Sequence, residues 1–219
     1  MRKILAVALV VLFFLIPSAS AQFLGQLSPA PTLHRGDSFV GGYLGVYEHA
    51  FSLIGQYRFG MARYVDLGLK LAMVNLNSGG GDNTGLALSG DAKYWFMERA
   101  TGDPIDLSFG GGMEYAKISD FSIFGLGINT VGSYKIEYGK DKSVTPYGCL
   151  NLRWARTSSD KSGDGNGKED GGGSSSHSDV DVALALGAEL KVSSRMHLIG
   201  ELEIDDYVGF IGGINYNLF

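Results

Sequence analysis

The sequence is poor in the residue types that mark several common protein classes. Its 219 residues include one cysteine, so an intramolecular disulfide framework is excluded, and the neighbours of Cys149 do not suggest a metal site. After the N-terminus no apolar run reaches the roughly 20 residues that a membrane helix needs. The 18 basic residues form no stripe and stand against 23 acidic ones, which argues against nucleic acid as a partner.

Glycine and aromatic residues, by contrast, are abundant. The chain contains 33 glycines without collagen periodicity but only 5 prolines, and 11% of its residues are aromatic. This composition favours tightly curved β-strands over a helical fold.

The N-terminus has the organisation of a secretory leader. Arg2 and Lys3 precede an apolar run at 4–16, and the small residues Ala19, Ser20 and Ala21 follow as a cleavage site. We therefore predict a signal peptide over residues 1–21. Residues 22–37 show no periodicity and contain two of the prolines, which predicts a short periplasmic lead-in.

The last stretch, residues 207–219 (YVGFIGGINYNLF), alternates with a period of two. Val208, Phe210 and Ile214 fall on one face, and glycines and asparagines fall on the other. A chain that stops on such a strand leaves an apolar edge exposed unless the strand pairs with the first one. We therefore expect this strand to close a barrel. Phe219 falls out of phase with the apolar face.

The same alternation runs through residues 38–219 and is clearest at residues 65–73. Short polar turns are expected at residues 60–63, 98–104, 139–142 and 193–195, and a long polar loop at 157–178. The pattern gives about ten strands, with eight or twelve as alternatives. The predicted fold is all-β: an antiparallel up-and-down transmembrane β-barrel over 38–219.

One face of nearly every strand is free of charge, whereas the other repeatedly carries acids and bases. In a membrane barrel the charged face lines the lumen. The predicted polar network of the lumen comprises Arg58, Asp66, Lys70, Asp91, Lys93, Asp106, Glu114, Lys135, Glu137, Arg153, Asp181, Glu189, Lys191, Glu201 and Glu203. Cys149 is expected to face the lumen as a small filler.

Aromatic residues cluster towards the strand ends, which predicts two belts at the lipid–water interfaces. With the N-terminus in the periplasm, the periplasmic belt holds Tyr57, Phe59, Tyr64, Tyr94, Trp95, Phe96, Tyr134, Tyr138 and Tyr216. The outer belt holds Tyr47, Phe51, Tyr115, Phe121, Trp154, Tyr207 and Phe210. In this orientation the four short turns are periplasmic and the long loop lies outside.

The leader ending in AQ, the YRFG…RYVDLGLKL hairpin and the aromatic last strand resemble the small outer-membrane β-barrel family (porin-like, OmpA-type transmembrane domains). The resemblance covers most of 38–219. It implies an integral protein of the cell outer membrane, in contact with its lipid and recognised by the barrel-insertion machinery through the C-terminal strand.

We expect no enzymatic activity and no cofactor, and a structural, surface-interaction or small-pore role. The charged interior of a barrel this small is expected to fill it as an ion-pair network, with a narrow cation-preferring pore as the alternative. A barrel enzyme, either a protease or a lipid A modifying protein, is a second alternative. A secreted lipocalin-like binder is the third, and it requires the apolar faces to point inward.

Two further features bear on these alternatives. The four histidines (His34, His49, His177 and His197) show no pairing with Asp at matching strand ends, so nothing marks an outer-rim active site. Acids between Asp160 and Asp170 could ligate Ca²⁺, but position twelve of an EF-hand-like spacing is Gly171 instead of Glu. A solvated loop is the simpler interpretation.

Overall fold

A computed structural model describes residues 24–76, 83–119, 121–159, 175–205 and 208–218 of the chain. The predicted signal peptide, the predicted Ca²⁺ ligands between Asp160 and Asp170, and the residues Tyr207 and Phe219 lie outside these ranges.

The described residues form eleven strands and one short 3₁₀ helix, Arg99–Thr101, between β4 and β5. The strands are β1 (Ser38–Tyr47), β2 (Ala50–Ala62), β3 (Val65–Leu76), β4 (Asn83–Met97), β5 (Asp106–Ile118), β6 (Phe121–Ser133), β7 (Ile136–Gly139), β8 (Lys142–Ser159), β9 (Ser175–Lys191), β10 (Met196–Ile204) and β11 (Val208–Asn217). No helix in the described ranges has the length and apolarity needed to cross a membrane.

Ten of these strands close into one antiparallel barrel. Consecutive strands pair from β1 to β6 and from β8 to β11, and β6 pairs with β8. The barrel closes where β1 pairs with β11, from Phe39–Asn217 to Tyr47–Gly209. The short strand β7 pairs only with β8 and forms a hairpin with its first residues. The described part of the chain thus confirms the predicted ten-stranded, all-β barrel closed by the last strand.

The hydrophobic alternation sets which face points outward. In β3, Leu67, Leu69 and Leu71 are exposed on the outside, whereas Asp66 and Lys70 are buried on the inside. The register with β2 places Arg58 opposite Gly68 and thus on the inner face. Because side chains alternate with a period of two, the pairing cannot slip by one residue without turning the leucines inward.

The two rims of the barrel differ. We call the rim with the turns after β2, β4, β7 and β9 the turn end, and the opposite rim the loop end. At the loop end β9 pairs with β10 only as far as Leu184. Among the described strands, residues 175–183 pair with β8 alone, whose last residue lies level with the first residue of β6. The expected loop over 157–178 is corrected accordingly: residues 157–159 pair with residues 175–177 as strand.

The expected lead-in does not lie below the barrel. Residues 24–33, here called the inner segment, run inside it, and Leu24, Leu27 and Ala30 are at most 1% exposed. The chain leaves the lumen at the turn end, where Gly36 N–H donates to the Gly60 carbonyl (2.9 Å). This corrects the interpretation of these residues as a periplasmic lead-in.

Candidate functional site: the barrel interior

The outer face is apolar on every strand of the barrel. Exposed side chains such as Leu71 (57%), Met113 (58%) and Ile128 (64%) stand on three different strands. Among the described strands, outward positions between the two rims carry no charged residue, and Lys117 and Arg156 mark the loop end. The apolar faces therefore point outward, opposite to the arrangement that a lipocalin-like binder requires.

Most of the predicted belt residues are exposed on this outer face. They are Tyr57, Phe59, Tyr94, Phe96, Tyr134, Tyr138 and Tyr216 at the turn end, and Phe51, Tyr115, Trp154 and Phe210 at the loop end. Tyr64 is half-buried, with its ring centroid 6.0 Å from that of Trp95. Three assignments are corrected: Tyr47 and Phe121 pack against the buried cluster inside the barrel, and Trp95 lines an interior cavity.

The structure places most of the predicted lumen residues on the inner face. Buried ones are Arg58, Asp66, Lys70, Lys93, Asp106, Arg153, Asp181, Glu201 and Glu203, and half-buried ones are Asp91, Glu114, Glu189 and Lys191. Lys135 and Glu137 are exposed and lie at the turn end, where they form an ion pair of 2.8 Å. Cys149 is buried among the interior side chains, as expected.

Arg58 is the centre of the ion-pair network. Its two terminal nitrogens lie 2.5 Å from Asp66 on β3 and 2.5 Å from Asp91 on β4. Lys93 adds a longer contact of 3.8 Å to Asp66. Arg58 and Asp66 are each 1% exposed, so loss of the arginine would leave buried carboxylates without a counter-charge.

Glu201 on β10 fixes the deep end of the inner segment. Its two carboxylate oxygens accept from the consecutive backbone N–H groups of Gln26 (2.7 Å) and Leu27 (2.9 Å). Gly25 and Leu27 have positive φ angles (54° and 56°). Successive N–H groups in such a conformation form a concave nest for an anion, here a carboxylate of the barrel wall. The Tyr147 hydroxyl donates to the same carboxylate (2.5 Å).

Two lysines hold the rest of the inner segment by its backbone carbonyls. Lys70 donates to the Gly25 carbonyl, and Lys93 donates to those of Pro29 (2.7 Å) and Pro31 (3.3 Å). These cations therefore bind peptide oxygens of the chain itself. The alternation of charged residues in the sequence predicts that the lysines face the lumen, but not that they bind the inner segment.

Near the loop end the lumen is closed by an apolar layer that the sequence analysis missed. This dry layer is formed by inward-facing Ala72, Val74, Ala87, Ala116, Ile118 and Ala155, each at most 2% exposed. Ser52, which pairs with Val74, is fully buried as well. The alternation of small apolar residues with larger outward ones was the available signal for these positions.

The turn end instead contains a cavity, here called the vestibule, of about 610 Å³. Its inner boundary is the inner segment with Arg58 and Lys93, and its rim includes the exposed Lys135 and Glu137. Its wall includes Phe39, Trp95, Arg99, Asp106, Thr145, Glu189, Lys191, His197 and Asn215.

In the described part of the chain three histidines lie near acids, and none of them pairs with an Asp at the matching end of a neighbouring strand. His49 Nε2 lies 3.9 Å from Glu48 in the exposed turn after β1. His177 Nε2 lies 2.9 Å from Asp179 on β9, and His197 Nδ1 lies 3.0 Å from Glu189 at the vestibule. The His177 side chain is 79% exposed, and its interaction with Asp179 is its only hydrogen bond or ion pair in the described ranges. No group of three or more His, Cys, Asp or Glu placed to hold a metal occurs among the described residues.

Comparison with known proteins found similar structures and no similar sequence. No family model matches the chain. No curated protein matches it either. The N-terminal β-barrel domain of Pseudomonas aeruginosa OprF is 10% identical, with a TM-score of 0.40 over 85% of this chain and 100% of that one.

Two further solved structures resemble the chain at the same level. The KdgM porin is 8% identical, with a TM-score of 0.42 over 81% of this chain and 98% of that one. Neisserial surface protein A is 14% identical, with a TM-score of 0.39 over 82% of this chain and 95% of that one. At these identities the likeness concerns the fold alone, which is that of a closed β-barrel.

Proposed function

We propose that this protein is an integral outer-membrane barrel with a closed lumen, no enzymatic activity, and a structural or surface-interaction role. Its apolar, uncharged outer face supports the membrane placement, because a soluble protein rarely exposes apolar surface on every side. The same face is what lipid tails contact in barrels of this kind. Insertion through the C-terminal strand remains part of this proposal.

The closed lumen is the observation that carries the functional proposal. Two barriers stand in series along the barrel axis: the dry layer near the loop end and the inner segment held by Glu201, Lys70 and Lys93. A water-filled ion path needs polar or hydrated lining, and an apolar constriction excludes both water and ions. The structure thus favours the filled interior over the small pore.

The β8–β9 hairpin supports a surface role. Its residues 156–159 and 175–178 lie at the loop end, which is the cell exterior in the proposed orientation. Its exposed positions there are polar, with Arg156, Ser176 and His177 among them. The pairing of His177 with Asp179 does not by itself favour catalysis, because both lie on one strand and His177 faces solvent.

Membrane placement and closure are tested by separate measurements on the full chain. After expression in a Gram-negative host, we expect the protein in the outer-membrane fraction, with a gel mobility that shifts on boiling. In planar lipid bilayers the purified protein should give no steady conductance. Recovery from the soluble periplasm without a mobility shift would contradict the placement, whereas reproducible channel steps would contradict the closed lumen.

A further inference from the structure

The carboxylates of the vestibule are already engaged. Asp66 pairs with Arg58, and Glu189 pairs with His197 at 3.0 Å. Asp106 accepts the backbone N–H of Arg99 at 2.9 Å. Glu137 at the rim pairs with Lys135 at 2.8 Å. Every acid that lines the cavity therefore has a partner.

Two cations of the vestibule lack a carboxylate partner. The Arg99 guanidinium lies over the Tyr134 ring, 4.5 Å from its centroid, and Lys191 is half-buried in the wall. Neither side chain makes an ion pair within the described part of the chain. Both lie within electrostatic range of Glu137, which is shared with Lys135 at the rim. Positive side chains that line a partly enclosed space attract small anions.

The wall of the cavity is polar beside these two cations. Thr145, Asn215 and Asn217 line it together with Trp95. Asn217 is half-buried, so its side chain borders the open space. Hydroxyl and amide groups of this kind orient the polar atoms of a bound small molecule.

We propose that the vestibule is a binding site for a small organic carboxylate that carries further hydroxyl or carboxylate oxygens. The cavity of about 610 Å³ lies within the size range of small-molecule sites. The carboxylate would face Lys191 and Arg99, and the further oxygens would bind polar side chains of the wall such as Asn217. That the ligand enters from the periplasm rests on the proposed function, whereas the site itself rests only on the folded barrel.

The first test is calorimetric titration of the full-length protein, folded in detergent micelles, with gluconate, citrate and sorbitol. Gluconate and sorbitol have similar size and hydroxyl content, but only gluconate carries a carboxylate. We expect gluconate and citrate to bind and sorbitol to bind at least about ten-fold more weakly. Equal binding of sorbitol and gluconate, or no binding by any of the three, would overturn the proposal.

The second test asks whether the named groups form the site. Lys191→Gln and Arg99→Gln should each weaken gluconate binding by about five-fold, and Asn217→Ala, which removes the side-chain amide, by a smaller factor. Lys142→Gln is the matched control, because Lys142 is exposed at the same rim and does not line the cavity. An equal loss of gluconate affinity in Lys142→Gln would show that the anion is attracted by the general positive charge of the rim, and it would refute the site.

Each variant is first checked for heat-modifiable gel mobility, so that loss of binding is not confused with loss of folding. Titration in micelles needs no particular orientation in a cell. If the protein fails to localise to the outer membrane but still binds gluconate, the proposed function is wrong and the site stands. If it localises to the outer membrane but binds none of the anions, the proposed site is wrong and the proposed function stands.

Discussion

The two ends of the barrel interior are built from opposite chemistry under the same outer surface. Near the loop end most inward side chains are small or apolar, among them Val74 and Ile118, which are closed to solvent. At the turn end they are mostly charged or polar and surround a cavity of about 610 Å³. Both ends show the same apolar alternation on the outside. The composition of the outer face therefore depends on the medium around the barrel. The inward side chains determine separately whether the lumen is filled or open.

A charge placed in the dry layer should give the largest effect, because these side chains are closed to solvent. Ile118→Asp should lower the free energy of unfolding by about 4 kcal/mol or more. The measurement is guanidinium unfolding in lipid vesicles, followed by gel mobility. Asn217→Asp, at the vestibule, is the matched control and should change stability by less than about 0.5 kcal/mol. A similar loss of unfolding free energy in both variants would show that the dry layer and the vestibule are equally solvated.

The anchor of the inner segment should give the next largest effect. Glu201→Gln replaces one of the two acceptor oxygens with an NH₂ group that cannot accept, so only one of the Gln26 and Leu27 N–H groups can keep its partner. We expect a loss of about 2 kcal/mol, seen as roughly thirty-fold faster hydrogen exchange of these two amides. Glu203→Gln makes the same substitution two residues away on the same face, at a carboxyl that accepts no hydrogen bond from the described inner segment. If it accelerated exchange equally, lumen charge and not the nest would hold the segment.

A backbone change tests the nest from the other side. A Cβ on Gly25 would lie 2.7 Å from Glu201 Oε1 and 2.8 Å from Ile211 Cδ1, at a φ of +54°. Gly25→Ala should therefore cost about 1–2 kcal/mol in the free energy of unfolding. Gly42→Ala is the control, because nothing lies within 4 Å of its added Cβ. An unchanged stability of Gly25→Ala would show that the segment is held loosely.

The smallest effect concerns the exposed hairpin at the turn end. Hydrogen bonding and charge from Lys135 hold the pKa of Glu137 below its ordinary value. This contribution is present above the unfolded pKa and is lost as the pH falls through the folded pKa. Lys135→Gln should raise the Glu137 pKa towards the ordinary value, as measured by NMR titration. A constant pKa would show that the ion pair is absent in solution.

Alternation in the sequence was sufficient to predict most strands and their outward faces, but not the face of the first strand, because residues 38–47 are apolar on both sides. It could not predict which inward residues pack in the dry layer and which line the cavity. The period of two gives the face of the strand on which a residue lies, but not what that residue meets across the lumen. Val74 and Ile118 were missed for this reason. Trp95 shares the phase of Lys93 and faces inward, but position near a strand end had favoured the belt. Phase was the better guide to that residue.

The inner segment was beyond prediction from local pattern. Its residues have no periodicity, and two prolines made an irregular lead-in the natural interpretation. The groups that hold it come from distant parts of the chain: Lys70, Lys93 and Ser133 as well as Glu201. No window of sequence contains both sides of these contacts.

The nest around Glu201 also constrains the order of assembly. Gln26 and Glu201 are 175 residues apart. The inner segment, which is synthesised early, therefore cannot form its contact with Glu201 until nearly the whole chain has been made. Lateral access to the lumen ends when β1 pairs with β11. A barrel that closes without the segment would have to break this seam or thread the chain through the rim, and contacts this distant in sequence form slowly. Seam closure is thus the step that commits a molecule to the filled or the empty form.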